Sequence, residues 1–170
     1  QVQSAVDRGL EWLSRSQDPR TGGWNTAGQR TSAAVAVTGL AAMAFMAHGH
    51  VPGQGPYAET INRAVDYVLS MQQPDGTIAP AGLSQPMYDH GIATVMLCEA
   101  YGMLDEKRQA LAHAAISRAV RLILNAQNVP KPREMQGGWR YSPEAPDSDI
   151  SVSGWQLMAL RGAANIGADV

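Results

Sequence analysis

The stretch Asp7-Arg-Gly-Leu-Glu-Trp-Leu-Ser-Arg-Ser-Gln17 occurs in two further versions along the chain, Asn62-Arg-Ala-Val-Asp-Tyr-Val-Leu-Ser-Met-Gln72 and Ser117-Arg-Ala-Val-Arg-Leu-Ile-Leu-Asn-Ala-Gln127. The three versions align without gaps, and their arginines and glutamines both recur every 55 residues. Three such periods nearly fill the chain of 170 residues. A fixed period of this size is typical of proteins built from stacked supersecondary units.

Each version has the pattern of an amphipathic helix. Apolar or small residues occupy positions i, i+3, i+4 and i+7, which share one helix face. They are Val6, Gly9, Leu10 and Leu13, then Ile61, Ala64, Val65 and Val68, then Ile116, Ala119, Val120 and Ile123. Because charged residues occupy the other side, we expect these helices on the outside of the fold.

A turn and a second helix of different character follow each outer helix. The second helices are predicted at Thr31–His48, Tyr88–Gly102 and Asp149–Ala164, and they are small or apolar nearly all round. Such a helix is typical of a buried position. The sequence therefore predicts an all-α fold, a single domain of three antiparallel outer–inner hairpins spanning about 1–50, 56–104 and 107–168.

Composition narrows the classes of function. Apolar residues make up 45% and charged residues 16% of the chain, which indicates a globular protein. The net charge of −2 offers no basic surface to nucleic acid, and the single Cys98 excludes an internal disulfide framework. Residues 31–58 carry no charge but are mostly small, so we expect a helix buried in protein and no transmembrane span. The start at Gln1 without a leader favours a processed product or a fragment, and the compartment stays open.

The repeated pattern, arginine then glutamine then Gly-x-Trp, resembles the QW repeat of squalene–hopene and oxidosqualene cyclases. Arg8, Gln17 and Trp24 match it closely, the third copy matches with an insertion before Trp139, and the second has Thr77 or Ile78 in place of tryptophan. The resemblance implies the α/α-toroid fold of terpenoid cyclases and prenyltransferase β-subunits. The stretches 88–94 and 154–160 are also similar to bacterial cyclase-like proteins without a settled activity.

The repeated glutamines and tryptophans are expected to be structural. A glutamine at the end of one helix can hydrogen-bond to backbone groups of the next. The following tryptophan can stack on that amide or on a neighbouring arginine. Both contacts would join one hairpin to the next, so Gln17, Trp24, Gln127 and Trp139 are poor catalytic candidates.

The segment Asp147-Ser-Asp149-Ile-Ser is the first candidate for chemistry. It resembles the Asp-x-Asp-Asp-Thr acid motif of hopene-type and class II terpene cyclases, with Ile150 at the third aspartate. The resemblance implies that Asp149 protonates an alkene, which requires a raised pKa or a neighbour that holds the proton. The alternative is that Asp147 or Asp149 caps the helix that follows.

Tyr88-Asp89-His90 is the second candidate. Aligning the hairpins places Asp89 in the same position as Asp149, where inner helices begin and a toroid has its cavity mouth. His90 could move a proton near neutral pH. The alternative is another helix cap with a partly buried histidine.

The remaining site residues follow from the same interpretation. Tyr88, Tyr101 and Trp155 are the best candidates to line a ligand cavity, since aromatic faces stabilise carbocations. We expect no cofactor, because no nucleotide-binding glycine-rich motif is present. We also expect no metal site, since His90 and Cys98 lie about 12 Å apart along one helix, too far for one zinc ion.

Two functions of different class are compatible with this pattern. One is a cyclase-like repeat domain that binds an isoprenoid or another lipid, with a cavity touching Asp149 and Asp89 and with possible acid catalysis at Asp149. The other is a non-catalytic interaction or scaffold module, with a filled interior and tolerance of Asp149→Asn. Polysaccharide processing on an α/α toroid is disfavoured, because the charges do not gather in a groove. Three hairpins make half of a typical ring, so an open arc would require flanking repeats or a homo-oligomer.

Overall fold

The computed structural model describes residues 2–24 and 33–170, and regular secondary structure in these ranges is helical apart from two isolated β-bridges. The six α-helices are α1 (Val2–Ser16), α2 (Ala34–Ala47), α3 (Ala58–Ser70), α4 (Met87–Ala100), α5 (Glu106–Gln127) and α6 (Ile150–Asn165). The predicted all-α class is confirmed. Thr31 and Ser32, where the second helix was predicted to begin, lie outside the described residues.

The inner helices α2, α4 and α6 pack side by side, with α4 in the middle. In α4 every side chain is buried except the half-buried Tyr88 and the exposed Glu99. The prediction of burial on all sides holds for α4, which α2, α6 and α5 surround. It does not hold for α2 or α6, which expose Val37, Leu40 and Leu157, because each has an inner-layer neighbour on one side only.

The outer helices differ in how much of their apolar face is covered. In α3 and α5 the predicted apolar positions are buried, for example Ile61 and Ile116 at 0% exposure. In α1 the only buried residue is Leu10, although the pattern of the sequence is the same. The difference arises because α3 and α5 each follow another hairpin that packs against them, whereas α1 opens the array.

The glutamine and arginine of the repeat join neighbouring outer helices. The Gln17 side-chain amide donates to the carbonyl oxygens of Gly22 (2.7 Å) and Thr60 (2.9 Å), and the Arg63 guanidinium donates to Gln17 Oε1 (2.9 Å). Because Thr60 and Arg63 belong to α3, one glutamine binds its own turn and the next hairpin together.

The second junction repeats this arrangement one period later. Gln72 donates to the carbonyl oxygens of Gly76 (3.0 Å) and Ala115 (2.9 Å), and Arg118 of α5 donates to Gln72 Oε1. A residue shift of 55 therefore reproduces the same set of bonds between α3 and α5. We refer to each set of bonds as a staple.

Glycine is required where the turn meets the next helix. Gly22 has φ of +82°, and a Cβ there would lie 2.4 Å from the Arg63 carbonyl oxygen. Gly76 has φ of +98°, and a Cβ there would lie 2.8 Å from the Arg118 carbonyl oxygen. Any side chain at either position would push the neighbouring hairpin away.

The tryptophans close each hairpin on itself. The indole N–H of Trp24 donates to the Leu13 carbonyl (2.9 Å), and that of Trp139 donates to the Ile123 carbonyl (2.7 Å). Ile123 stands two periods, or 110 residues, after Leu13, whereas Trp139 stands 115 residues after Trp24 because the third turn is longer. The fully buried Ile78 takes this place in the second hairpin. The prediction that the tryptophans join one hairpin to the next is therefore wrong for these hydrogen bonds, because each indole N–H binds the end of the outer helix of its own hairpin.

Candidate functional site

The candidate site lies where α4 and α6 begin. The Tyr88 and Tyr141 rings stack with centroids 6.0 Å apart, and the Tyr88 hydroxyl is hydrogen-bonded to the Ser151 hydroxyl. The Arg140 guanidinium lies 4.5 Å from the centre of the Tyr141 ring. The backbone N–H of Met87 donates to the Tyr141 carbonyl (3.1 Å), which ties the turn after Trp139 to the start of α4.

Asp149 is the N-cap of α6. Its Oδ1 accepts hydrogen bonds from the backbone N–H groups of Ser151 (3.0 Å) and Val152 (3.1 Å). The hydrogen bond from the Ser151 hydroxyl, these backbone bonds and the nearby Arg140 together hold the pKa of Asp149 below its ordinary value. A general acid needs the opposite shift, so the geometry fits the capping alternative.

Asp147 is paired with the Arg140 guanidinium and lines neither of the two pockets described below. Its carboxylate lies 3.5 Å from Nε of Arg140, and the Asp149 carboxylate lies 3.8 Å from Nη1 of the same guanidinium. Ile150, at the third position of the motif, is exposed. The single positive charge of Arg140 therefore lies beside both carboxylates.

Asp89 is buried and caps α2 from the neighbouring helix. Its Oδ1 accepts the backbone N–H of Ala36 (2.7 Å), and the N–H of Val35 contributes a second bond. Burial raises the pKa of Asp89 to about 6, against the opposing effect of these bonds. The prediction that Asp89 and Asp149 are equivalent is wrong: Asp89 is the third residue of α4, whereas Asp149 precedes the first residue of α6.

His90 is fully buried between the second turn and α5. Its Nδ1 accepts the backbone N–H of Ile78 (3.0 Å), and Nε2 lies 3.3 Å from the Ala119 carbonyl oxygen. These partners select the neutral tautomer with the proton on Nε2. Burial lowers the pKa of His90 to about 4, so the ring does not change its charge near neutral pH. The arrangement supports a structural histidine instead of a proton shuttle.

The predicted aromatic lining residues are not brought together. Trp155 is half-buried on α6, against Gly91 of α4. Tyr101 follows the other end of α4, about 20 Å from Tyr88 along the helix axis, and its ring lies 6.2 Å from that of His113. Tyr88 is the only one of the three that contacts the residues around Asp149.

Sequence reasoning missed Arg140, Tyr141 and Ser151. They join α4 to α6 through contacts between residues as far apart as Tyr88 and Ser151. The sequence signal that could have identified them is the Arg-Tyr pair directly after Trp139 and shortly before the acidic segment. An arginine close in sequence to two aspartates can form ion pairs with them.

Two surface pockets formed by described residues lie away from the acids. One of about 400 Å³ is lined by Gln127–Lys131, Gln136 and Gly137, and one of about 320 Å³ by Val51–Gln54 and Met103. Within residues 2–24 and 33–170, no three metal-ligating side chains gather. Burial raises the pKa of Cys98 to about 12, which disfavours the thiolate that metals bind. In the same ranges, no helix has both the length and the apolar character needed to cross a membrane.

The chain matches no protein-family model and no curated protein. The similarity to cyclase QW repeats therefore depends on the three registered segments alone.

Proposed function

We propose that this chain is a non-catalytic hairpin-repeat module of the terpenoid-cyclase and prenyltransferase type, an arc of an α/α toroid that acts by binding a partner. The observation that carries this proposal is the filled interior around α4. Apart from Tyr88 and Glu99, the residues of α4 are buried on every side of the helix, and Ile92 lies against Gly39 of α2. A substrate cavity at this place would require these residues to line open space.

The acidic residues support the same proposal. Asp149 and Asp89 both accept backbone N–H groups at helix starts, and the Arg140 guanidinium pairs with Asp147 and Asp149. An acid that initiates carbocation chemistry must release a proton into a dry pocket. The two described pockets do not include any of these carboxylates.

The test is incubation of the purified chain with linear isoprenoids, squalene among them, followed by gas chromatography and mass spectrometry of the extract. We expect no product from the wild type, and Asp149→Asn should fold as the wild type does, since asparagine also caps helices. Cyclised product that disappears in a folded Asp149→Asn variant would overturn the proposal.

Lipid or isoprenoid binding is the second candidate, favoured by the exposed apolar side chains of the inner layer. Val37 and Leu40 of α2 and Met158 of α6 are about half exposed, and the two on α2 lie opposite its buried residues Thr38 and Phe45. Organic extraction of the purified chain and mass spectrometry test this candidate. A stoichiometric polyprenoid that is lost in a Val37→Ser, Leu40→Ser variant would support it, and a protein free of lipid would exclude it.

A further inference from the structure

Among the described residues, the staple between hairpins occurs twice, and its glutamine and its arginine each occur a third time without the other. At the C-terminal side, Gln127 donates to the Gly137 carbonyl (3.1 Å), as Gln17 and Gln72 do to their own turns. No guanidinium of the described residues donates to the Gln127 side-chain oxygen, whereas arginines bind the other two glutamines. The Gln127 side-chain oxygen is thus the acceptor of a third staple, and no guanidinium of residues 2–24 and 33–170 binds it.

Gly137, whose carbonyl accepts from Gln127, also has space for a neighbouring helix. Gly137 has φ of +79°, like Gly22 and Gly76. A Cβ at those two positions would collide with the next outer helix, but one at Gly137 would meet no heavy atom of the described ranges within 4 Å. The pocket of about 400 Å³ lies at this same point, lined by both Gln127 and Gly137.

The arginine of the third staple lies on α1. Arg8 is the residue equivalent to Arg63 and Arg118, and it is exposed, with its guanidinium donating to Ser4 Oγ (2.8 Å) on its own helix. Ala5 stands one period before Thr60, so its carbonyl is the one that a staple glutamine would reach. Both elements that Gln127 lacks are therefore presented together on one exposed helix face.

Exposed apolar side chains also occur at both ends of the array, on α1 and on α6. Trp12 is 66% exposed, whereas the equivalent Tyr67 is 8% exposed and packs on Gly23 of the preceding hairpin. Ile150 and Leu157 are exposed on α6, at the other end of the array. At the third position Ser148 lies over Gly138, so Trp12 would pack beside the longer third connection instead of on the glycine.

We infer that a second copy of this chain docks head to tail, with α1 of one copy against Gln127 of the other. Arg8 of the first copy donates to the Gln127 side-chain oxygen of the second, and that Gln127 donates to the Ala5 carbonyl of the first. The backbone at Arg8 of the first copy packs against Gly137 of the second. The interface continues a contact that the chain already makes twice, between segments of the same sequence pattern. The nearby Lys131 ammonium does not occupy the acceptor, because it donates to the backbone carbonyls of Ala126 (2.8 Å) and Val129 (3.2 Å). This inference is independent of whether the chain is catalytic.

The test is the mass of the chain in solution, measured by light scattering over a range of concentrations. The wild type should exceed the 18.1 kDa of one chain as concentration rises. Arg8→Glu and Gln127→Ala should each stay at the mass of one chain, with unchanged circular dichroism because both residues are at the surface. Lys107→Glu makes the same change in charge at an exposed residue outside the staples, and it should associate as the wild type does.

Mixing the two variants separates a head-to-tail contact from a symmetric one. The Arg8→Glu chain keeps its Gln127 and the Gln127→Ala chain keeps its Arg8, so the mixture can form one intact junction. We expect the mixture to regain association that neither variant shows alone. A wild type that stays monomeric at every concentration, self-association unchanged in both variants, or a mixture that stays monomeric would each refute the inference.

Discussion

Replacing Gln17 with alanine tests the staple directly. The change removes two hydrogen bonds to carbonyl oxygens and one from the Arg63 guanidinium. A neutral hydrogen bond contributes about 1 kcal/mol net and one to a charged group about 1.5–3 kcal/mol, so we expect a loss of about 4 kcal/mol in the free energy of unfolding. For a chain of this length that loss lowers Tm by about 8–16 °C.

The chain supplies its own matched control. Gln127 has the same position in the repeat, but in the described residues its side chain makes one bond, to its own turn. We expect Gln127→Ala to cost about 1 kcal/mol or less when the chain is dilute. Urea unfolding monitored by circular dichroism measures both variants, and equal losses for Gln17→Ala and Gln127→Ala would refute the staple as a contact between hairpins.

Three further predictions follow from the same contacts. Gly22→Ala should destabilise the chain by several kcal/mol more than Gly49→Ala in thermal melts, because both glycines have positive φ but only the first meets a neighbouring backbone. Between pH 4 and 6, the raised pKa of Asp89 makes the free energy of unfolding fall as pH rises, whereas the lowered pKa of His90 makes it rise. In urea unfolding, stability should therefore increase with pH across this range for Asp89→Asn and decrease for His90→Gln. Equal slopes for the two variants would contradict this prediction. Asp149→Ala should lower Tm and Asp149→Asn should leave it nearly unchanged, and an equal drop in the two melting curves would mean that the cap is not what Asp149 provides.

The repeat made much of the fold predictable. A period of 55 residues places the repeated glutamine and arginine in the same surroundings at both internal junctions, so one correct interpretation of Gln17 applies to Gln72 as well. The sequence left Thr77 or Ile78 in the tryptophan position, and the structure places the fully buried Ile78 there. Helix type and order followed from the difference between one-sided and all-round apolar patterns.

The candidate site was less predictable because its contacts join distant segments. His90 is neutral because burial lowers its pKa, and the residues that bury it include Ala119, 29 residues later in the chain. Asp89 lies near the start of α4, where the sequence predicts it, but the helix start that it caps is that of α2, at Ala36, 53 residues earlier. The Tyr88–Ser151 contact depends on how α4 packs against α6, which neither local pattern contains.

The same sequence pattern is buried to different extents in the three outer helices, and the difference shows where stability comes from. The pattern alone would bury α1 as deeply as α3 and α5, yet Val6 is 38% exposed and its equivalents Ile61 and Ile116 are at 0%. The missing burial is therefore what a preceding hairpin contributes. In a linear array, stability is the sum of unit and junction contributions, and here each junction covers a face that its unit cannot cover alone. The two ends of the array each expose a surface that a further junction would cover. Covering these surfaces adds a junction without requiring any change in the hairpins, which is a physical reason for further association.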